Sequence, residues 1–339
     1  MSRLQASRTL ALIAPFFLFA NPSLKGQLAA SAVTTEIRQL FERSKEAVVR
    51  IQAVDEHGPL SGTGFFIDPN GTLYTSYTIG GESSDIVVLQ GDKKFNATRI
   101  IADPRSGIAI LKVETTRTPY IPLGKSSDLA IASMIVTVAY PMDLPVTANF
   151  GLVGGFDVKY LGSYFATAHI RANIPVQRGE GGAPLLNMSG EAVGILISCI
   201  DGNSGCFALP IEAAEKVRRD YMRFGEVRPG WLGILIQAAE KEVEGSVAQI
   251  QEVLVNTPAA KSETLRKGDI LLQVGGKKIA APEDVLNASF FLSAGDEVPI
   301  KLVREGKILD VSLQASDNPM RPHPTAAMEV DPGVHLKNH

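Results

Sequence analysis

Histidine and cysteine are scarce in this chain of 339 residues: five of the first and two of the second. No histidine lies between His57 and His169, so that whole stretch holds no imidazole to serve as a base near neutral pH. Cys199 and Cys206 have no further cysteine or histidine at ligand spacing, which excludes a zinc-type site. No other metal and no cofactor is expected. A formal charge of -3 leaves no basic field, which argues against nucleic acid and other polyanions as partners. The apolar run from Leu10 to Ala20 is too short to cross a bilayer. Aromatic residues make up 6% against 31 glycines, a balance that favours turn-rich β structure over a helical bundle. No internal repeat relates the two halves.

What is present begins with an address. Arg3 and Arg8 precede the run Leu10–Ala20, and Ala30-Ser31-Ala32 follows as a cleavage-like site. The pattern predicts a secretory signal over 1–32 and a periplasmic or secreted mature chain, with an uncleaved membrane anchor as the alternative. Next, Ile37, Leu40 and Phe41 fall at helical spacing after a threonine cap, predicting a short amphipathic helix. The periodicity then changes. "VVRIQAV", "GTGFFIDP", "GTLYTSY", "DIVVLQ", "FNATRIIAD", "IAILKVE", "MIVTVAY" and "EAVGILIS" are β-rich runs punctuated by turns such as Pro69-Asn70-Gly71 and Met188-Ser189-Gly190. Without a helix between each pair, they predict β-barrels rather than βαβ units. Cys199 and Cys206 flank a hairpin loop. In an oxidising compartment they would close as a cross-hairpin disulfide, and otherwise they are two buried thiols. A helix over "LPIEAAEKVRRDYMRF" and a linker "GEVRPG" then lead to a second unit mixing strands with a helix at "PEDVLNASFFLS". Residues 317–339 are polar and proline-rich and predict a disordered tail.

Four stretches carry a resemblance. "SGTGFFIDPNGTLYTS", "ADPRSGIAILKVE", "RGEGGAPLLNMSGEAVGI" and "EVRPGWLGI" occur in this order over roughly residues 34 to 315. Together they resemble the HtrA (DegP-like) periplasmic serine proteases. The resemblance implies a mainly β chain: a trypsin/chymotrypsin-like double β-barrel over 33–226, followed by an α+β PDZ domain over 228–316.

The departures from that pattern bear on chemistry. The family's general-base histidine corresponds to Thr78, within Thr75-Ser76-Tyr77-Thr78-Ile79. Its orienting aspartate corresponds to Gly107, and its nucleophile to Gly181. A base within hydrogen-bond reach of an activated hydroxyl is what this mechanism requires, and threonine and glycine supply neither. No catalytic residue is therefore assigned. The turn Gly179, Glu180, Gly181, Gly182 can still present oxyanion-type N–H groups, and the Glu180 carboxylate either serves the turn or biases what approaches the cleft. In the second domain, Trp231, Leu232, Gly233 and Ile234 resemble a carboxylate-binding loop, with Val285 and Ser289 on the opposite wall.

The expected function is recognition of peptides or protein C-termini by an inactive family member acting as adaptor, holdase or regulator. Two rivals stand beside it. One is an active serine-type endopeptidase of protein quality control using unrelated residues, such as His169 regrouped with a serine. The other is a structural partner of an active HtrA-like protease. The resemblance also implies a homo-trimer formed through the N-terminal part of the protease domain, around Phe41.

Overall fold

The computed structural model describes residues 22–142, 144–157, 167–199 and 205–317. The signal-like run Leu10–Ala20 and the tail from 318 onward lie outside them. Helix α1 (Pro22–Ser44) leads into the first barrel, made of β1 (Val48–Asp55), β2 (Gly58–Phe66), β3 (Thr72–Ser76), β4 (Ser84–Gln90), β5 (Lys93–Asp103) and β6 (Ile108–Val113). These close antiparallel in the order β1-β2-β3-β6-β5-β4. The short helix α2 (Tyr77–Gly80) follows β3. The second barrel uses β7 (Met134–Ala139), β8 (Thr147–Asp157), β9 (His169–Ala172), β10 (Pro184–Leu186), β11 (Ala192–Cys199) and β12 (Cys206–Pro210). It closes in the order β10-β11-β12-β9-β8-β7.

The strand "IAILKV" shows why these runs read as continuously apolar. Ala109, Leu111 and Val113 fill the interior of the first barrel with Ile51, Phe66, Leu73 and Val88. Ile108 and Ile110 point the other way, into a cluster shared with Val136, Val138, Leu186 and Ile195 of the second barrel. Alternate residues thus meet two different cores, and the usual polar face is absent.

Helix α3 (Ile211–Phe224) packs Val217 into the inter-barrel cluster and ends at Gly225, whose positive φ of 76° caps it. The second unit follows: β13 (Gly230–Trp231), β14 (Ile234–Val243), β15 (Ser246–Val253), α4 (Pro258–Ser262), β16 (Ile270–Val274), β17 (Lys277–Lys278), α5 (Pro282–Phe290), β18 (Glu297–Arg304), β19 (Lys307–Gln314) and β20 (Ser316–Asp317). Its main sheet runs β14-β15-β16-β18-β19, so β14 is an edge strand. Leu232, Ile250, Leu271, Val285 and Leu302 are in its separate core.

Two expectations change here. The helix predicted to start at a threonine cap begins at Pro22 and runs through Ala30-Ser31-Ala32. Thr35 Oγ1 donates to the Ser31 carbonyl at 2.8 Å, so its hydroxyl serves the preceding turn of a continuing helix instead of capping a new one. Asp317, assigned to the tail, pairs with Gly230 across β13 and β20. Among the described residues no helix is long and apolar enough to cross a membrane.

Candidate functional site

Two sites emerge, one in the seam between the barrels and one in the second unit. In the seam, Thr78 lies exposed on α2, with its Oγ1 3.0 Å from Ser76 Oγ. Gly107 is buried at φ 78°, and its carbonyl accepts from the Tyr77 N–H at 2.7 Å. Gly181 is partly exposed, and a Cβ added there would sit 3.3 Å from Ser76 Oγ. The three positions that sequence comparison singled out therefore converge around Ser76. What they assemble is two hydroxyls bonded to each other, with no imidazole. A side chain at 107 would start from a left-handed backbone, a conformation that favours glycine.

The turn itself is fixed by the first barrel. Thr63 Oγ1 donates to the Gly179 carbonyl at 2.8 Å and accepts from Tyr140 N at 3.0 Å, while Thr63 N donates to the Gly181 carbonyl at 2.9 Å. The Arg178 and Glu180 carbonyls are held by Met142 N and Ala183 N. Because the two ends of a peptide unit point in opposite directions, the N–H groups of Gly179 and Gly181 face away from those anchors. Neither donates to any group among the described residues. Thr63 was not foreseen. Its only sequence signal is a hydroxyl between two glycines, in a strand that also carries Ser61.

For Glu180, only the reading in which its carboxylate biases what approaches the cleft is corrected. Its side chain is fully buried and accepts from Asn149 Nδ2 at 3.0 Å and Gln177 N at 2.9 Å. The carboxylate serves the turn from inside the barrel and does not face an incoming ligand. Burial raises its pKa, with those two hydrogen bonds working against the rise. A second correction concerns the cysteines. β11 and β12 place Cys199 directly opposite Cys206, yet both are free thiols, the first exposed and the second buried. Burial pushes the Cys206 thiol up to about 12, so it is protonated and unreactive at neutral pH.

His57 is exposed beside Asp55 at the tip of the β1–β2 hairpin. His169 is fully buried on β9, with Nδ1 2.9 Å from the Thr167 carbonyl. Burial lowers its pKa from 6.5 to about 4. Between those values the unfolded chain binds the extra proton, so this contribution is complete above pH 6.5 and is lost as pH falls toward 4. The gap corresponds to about 3 kcal/mol. Glu180 acts in the opposite sense, because its folded-state carboxyl holds a proton more readily. Urea unfolding at a series of pH values is expected to show a flatter acid slope for His169→Gln than for the wild type. Equal slopes would exclude His169 as the source.

The second site is a groove of about 200 Å³ that brings together Trp231, Leu232, Gly233, Ile234, Val285 and Ser289. Ile236, Pro282 and Leu286 complete its apolar walls, a contribution legible only from helical and strand spacing once the groove was known. Gly233 has φ 81°, and a Cβ there would meet Thr257 Cβ at 2.2 Å, so no other residue fits. The carbonyls of Leu232 and Gly233 are held by Ala259 N and Leu254 N. Their N–H groups have no partner among the described residues, which leaves a small nest of donors at the mouth of the groove. The free edge of β14 runs along one side and α5 along the other.

Comparison with known proteins agrees with this two-part construction. Residues 62–195 match the trypsin-like peptidase domain family, and residues 230–314 match the PDZ domain family. A relative from Pseudomonas fluorescens, named "Probable periplasmic serine endoprotease DegP-like", is 32% identical over 267 residues. The chain belongs to the HtrA/DegP-like family. The aligned part covers 74% of this chain and 55% of that relative. A relative of the same name from Ectopseudomonas mendocina is 30% identical, with 79% and 59% covered. This HtrA-like chain thus spans a little over half the length of those curated relatives. Among solved structures, the HtrA-type protease AlgW with tripeptide superposes with a TM-score of 0.70 at 20% identity, covering 85% of this chain and 98% of that one. The serine endoprotease from Yersinia pestis gives 0.60 at 22% identity, covering 83% and 98%. These likenesses establish the fold shared by HtrA proteins: two six-stranded barrels and a PDZ domain.

Proposed function

We propose that this chain is an HtrA-like pseudoprotease of the cell envelope that binds peptides or exposed protein C-termini in the groove between β14 and α5. It acts on its clients as an adaptor, holdase or regulator and does not cut them. The observation that carries the reading is the groove, where an apolar slot ends at the unengaged N–H groups of Leu232 and Gly233 beside a free sheet edge. An extended peptide can add to β14 as a strand, bury its last side chain among Ile234, Ile236 and Val285, and place its carboxylate on the nest. Loss of cutting is supported by the seam, where Thr78, Gly107 and Gly181 supply no base and the Ser76 hydroxyl is paired with Thr78.

The test uses the full chain and a fluorescent peptide ending in valine. The free acid is expected to bind at least about tenfold more tightly than the same peptide with a C-terminal amide, since a charge-assisted hydrogen bond is lost. Leu286→Glu, which puts a negative charge on the exposed groove wall, is expected to abolish that difference, and casein is expected to stay intact throughout. Equal binding of acid and amide would overturn the groove assignment. Casein cleavage that disappears in Ser76→Ala would overturn the pseudoprotease assignment.

A further inference from the structure

A second cavity, of about 500 Å³, lies on the other side of α5, where the PDZ domain meets the second barrel and α3. Its walls are largely apolar: Leu129, Phe156, Pro210 and Phe291. One cation faces it. Lys277 is half-buried, and its Nζ stands 3.8 Å from the centroid of the Phe291 ring. Among the described residues this ammonium has no hydrogen bond and no ion pair. Glu212 also lines the cavity, but its carboxylate is taken by the Ser126 hydroxyl and by the N–H of Ser127 at 3.1 Å. Asn287, from α5, accepts at Oδ1 from Thr167 Oγ1 at 2.8 Å and Ala168 N at 3.0 Å. That leaves its amide NH₂ without a partner among the described residues.

An unpaired ammonium and a spare amide donor in an apolar cavity are costly unless something accepts from them. From this geometry we infer that the cavity is a ligand site for a small amphipathic monocarboxylate, whose charged end meets Lys277 and Asn287 and whose apolar body lies against Leu129, Phe156 and Phe291. The charge count decides the class. The cavity wall carries one cation, Lys277, and one carboxylate, Glu212, which is already engaged by Ser126 and Ser127. A single added negative charge can therefore meet Lys277, whereas a dianion such as phosphate would bring its second charge toward Glu212. The volume is within the range of small-molecule sites and exceeds what one water needs. Burial lowers the Lys277 pKa, against the charge of Glu212, as expected for an ammonium short of compensation. This site is separate from the peptide groove, although α5 walls both: its Val285, Leu286 and Ser289 face the groove, and its Asn287, with Phe291 just beyond its end, faces this cavity.

Octanoate and its neutral counterpart octanamide, titrated by calorimetry into the full-length chain, provide the test. Octanoate is expected to bind at least about tenfold more tightly, the worth of one charge-assisted contact. Lys277→Gln is expected to remove the preference while leaving the melting temperature of the unliganded chain close to wild type. Leu129→Trp, which fills the cavity, is expected to abolish binding of both probes. Leu286→Glu, at an exposed position of the groove wall, separates this site from the groove: octanoate binding should persist there even if peptide binding is lost. Equal affinity for the two probes, a preference that survives Lys277→Gln, loss of octanoate binding in Leu286→Glu, or no binding to the wild type would each overturn the assignment.

Discussion

Gly182→Ala is expected to destabilise the barrel pair by about 4 kcal/mol or more, whereas Gly181→Ala, one residue earlier, should cost within about 1 kcal/mol. The contrast follows from what each new methyl would meet. At Gly182, with φ 88°, a Cβ would lie 2.2 Å from the Thr63 carbonyl oxygen, 2.5 Å from Thr75 Oγ1 and 2.7 Å from Ser76 N. Two of those three atoms are main chain in β2 and β3 and can shift only with the sheet. The left-handed backbone adds about 1–2 kcal/mol on its own. Gly181 has no such φ, and its nearest neighbour is the Ser76 hydroxyl at 3.3 Å, which can turn aside. Urea unfolding of the two variants checks the prediction, and equal losses would refute it. The result also bears on what holds the turn at 179–182 in place. Through Thr63 this turn bonds one barrel to the other, and Gly179 and Gly182, both at positive φ and both close against main-chain atoms, are required by the fold whether or not anything reacts there.

Asp220→Ala is expected to cost about 3–5 kcal/mol, the penalty for stranding a buried charge. Asp220 and Lys216 are both fully buried on α3 and joined at 2.6 Å. The same carboxylate accepts from Ser293 Oγ at 2.6 Å and from Arg228 N at 3.2 Å, so it ties α3 to the start and the interior of the PDZ domain. Around it, Phe290 leaves α5 to join the inter-barrel core, with Lys216 and Arg105 5.7 and 5.8 Å from its ring. Burial outweighs the partner and lowers the Lys216 pKa. Removing the carboxylate leaves that ammonium, the Ser293 hydroxyl and the Arg228 N–H without their acceptor. Lys216→Met combined with Asp220→Asn removes both charges and keeps an acceptor for Ser293, so it should recover most of the loss. Thermal unfolding, with limited proteolysis at residues 225–230 to detect release of the PDZ domain, measures both. A double variant no more stable than Asp220→Ala would show that the charge pair is not the source.

Much of the architecture was legible because local pattern and global fold agree. Turns at Asn70-Gly71 and Ser189-Gly190 bound strands in the expected places, and Asp68 and Asn187 secure them by accepting from nearby main-chain N–H groups. The groove residues were legible as well, since Gly233 and its neighbours sit in one local loop and Val285 and Ser289 are spaced on one helix face. β8 was missed. Its glycines at 151, 154 and 155 blur the alternation, and it forms only because β7 and β9 accept it on both edges.

By itself the sequence determined the double barrel and the PDZ domain, their order, and the residue types at 78, 107 and 181, none of which is a base. Those features rest on residue type and near-neighbour spacing, which the chain carries wherever it folds. Only the tertiary structure decided that Glu180 turns inward to Asn149, that Lys216 and Asp220 find each other in a dry interior with Ser293, and that Lys277 faces a cavity without an ion-pair partner among the described residues. Each of these depends on which distant segments share a low-dielectric space. A buried polar group takes its meaning from the partner that the fold delivers, and nothing in local spacing names that partner.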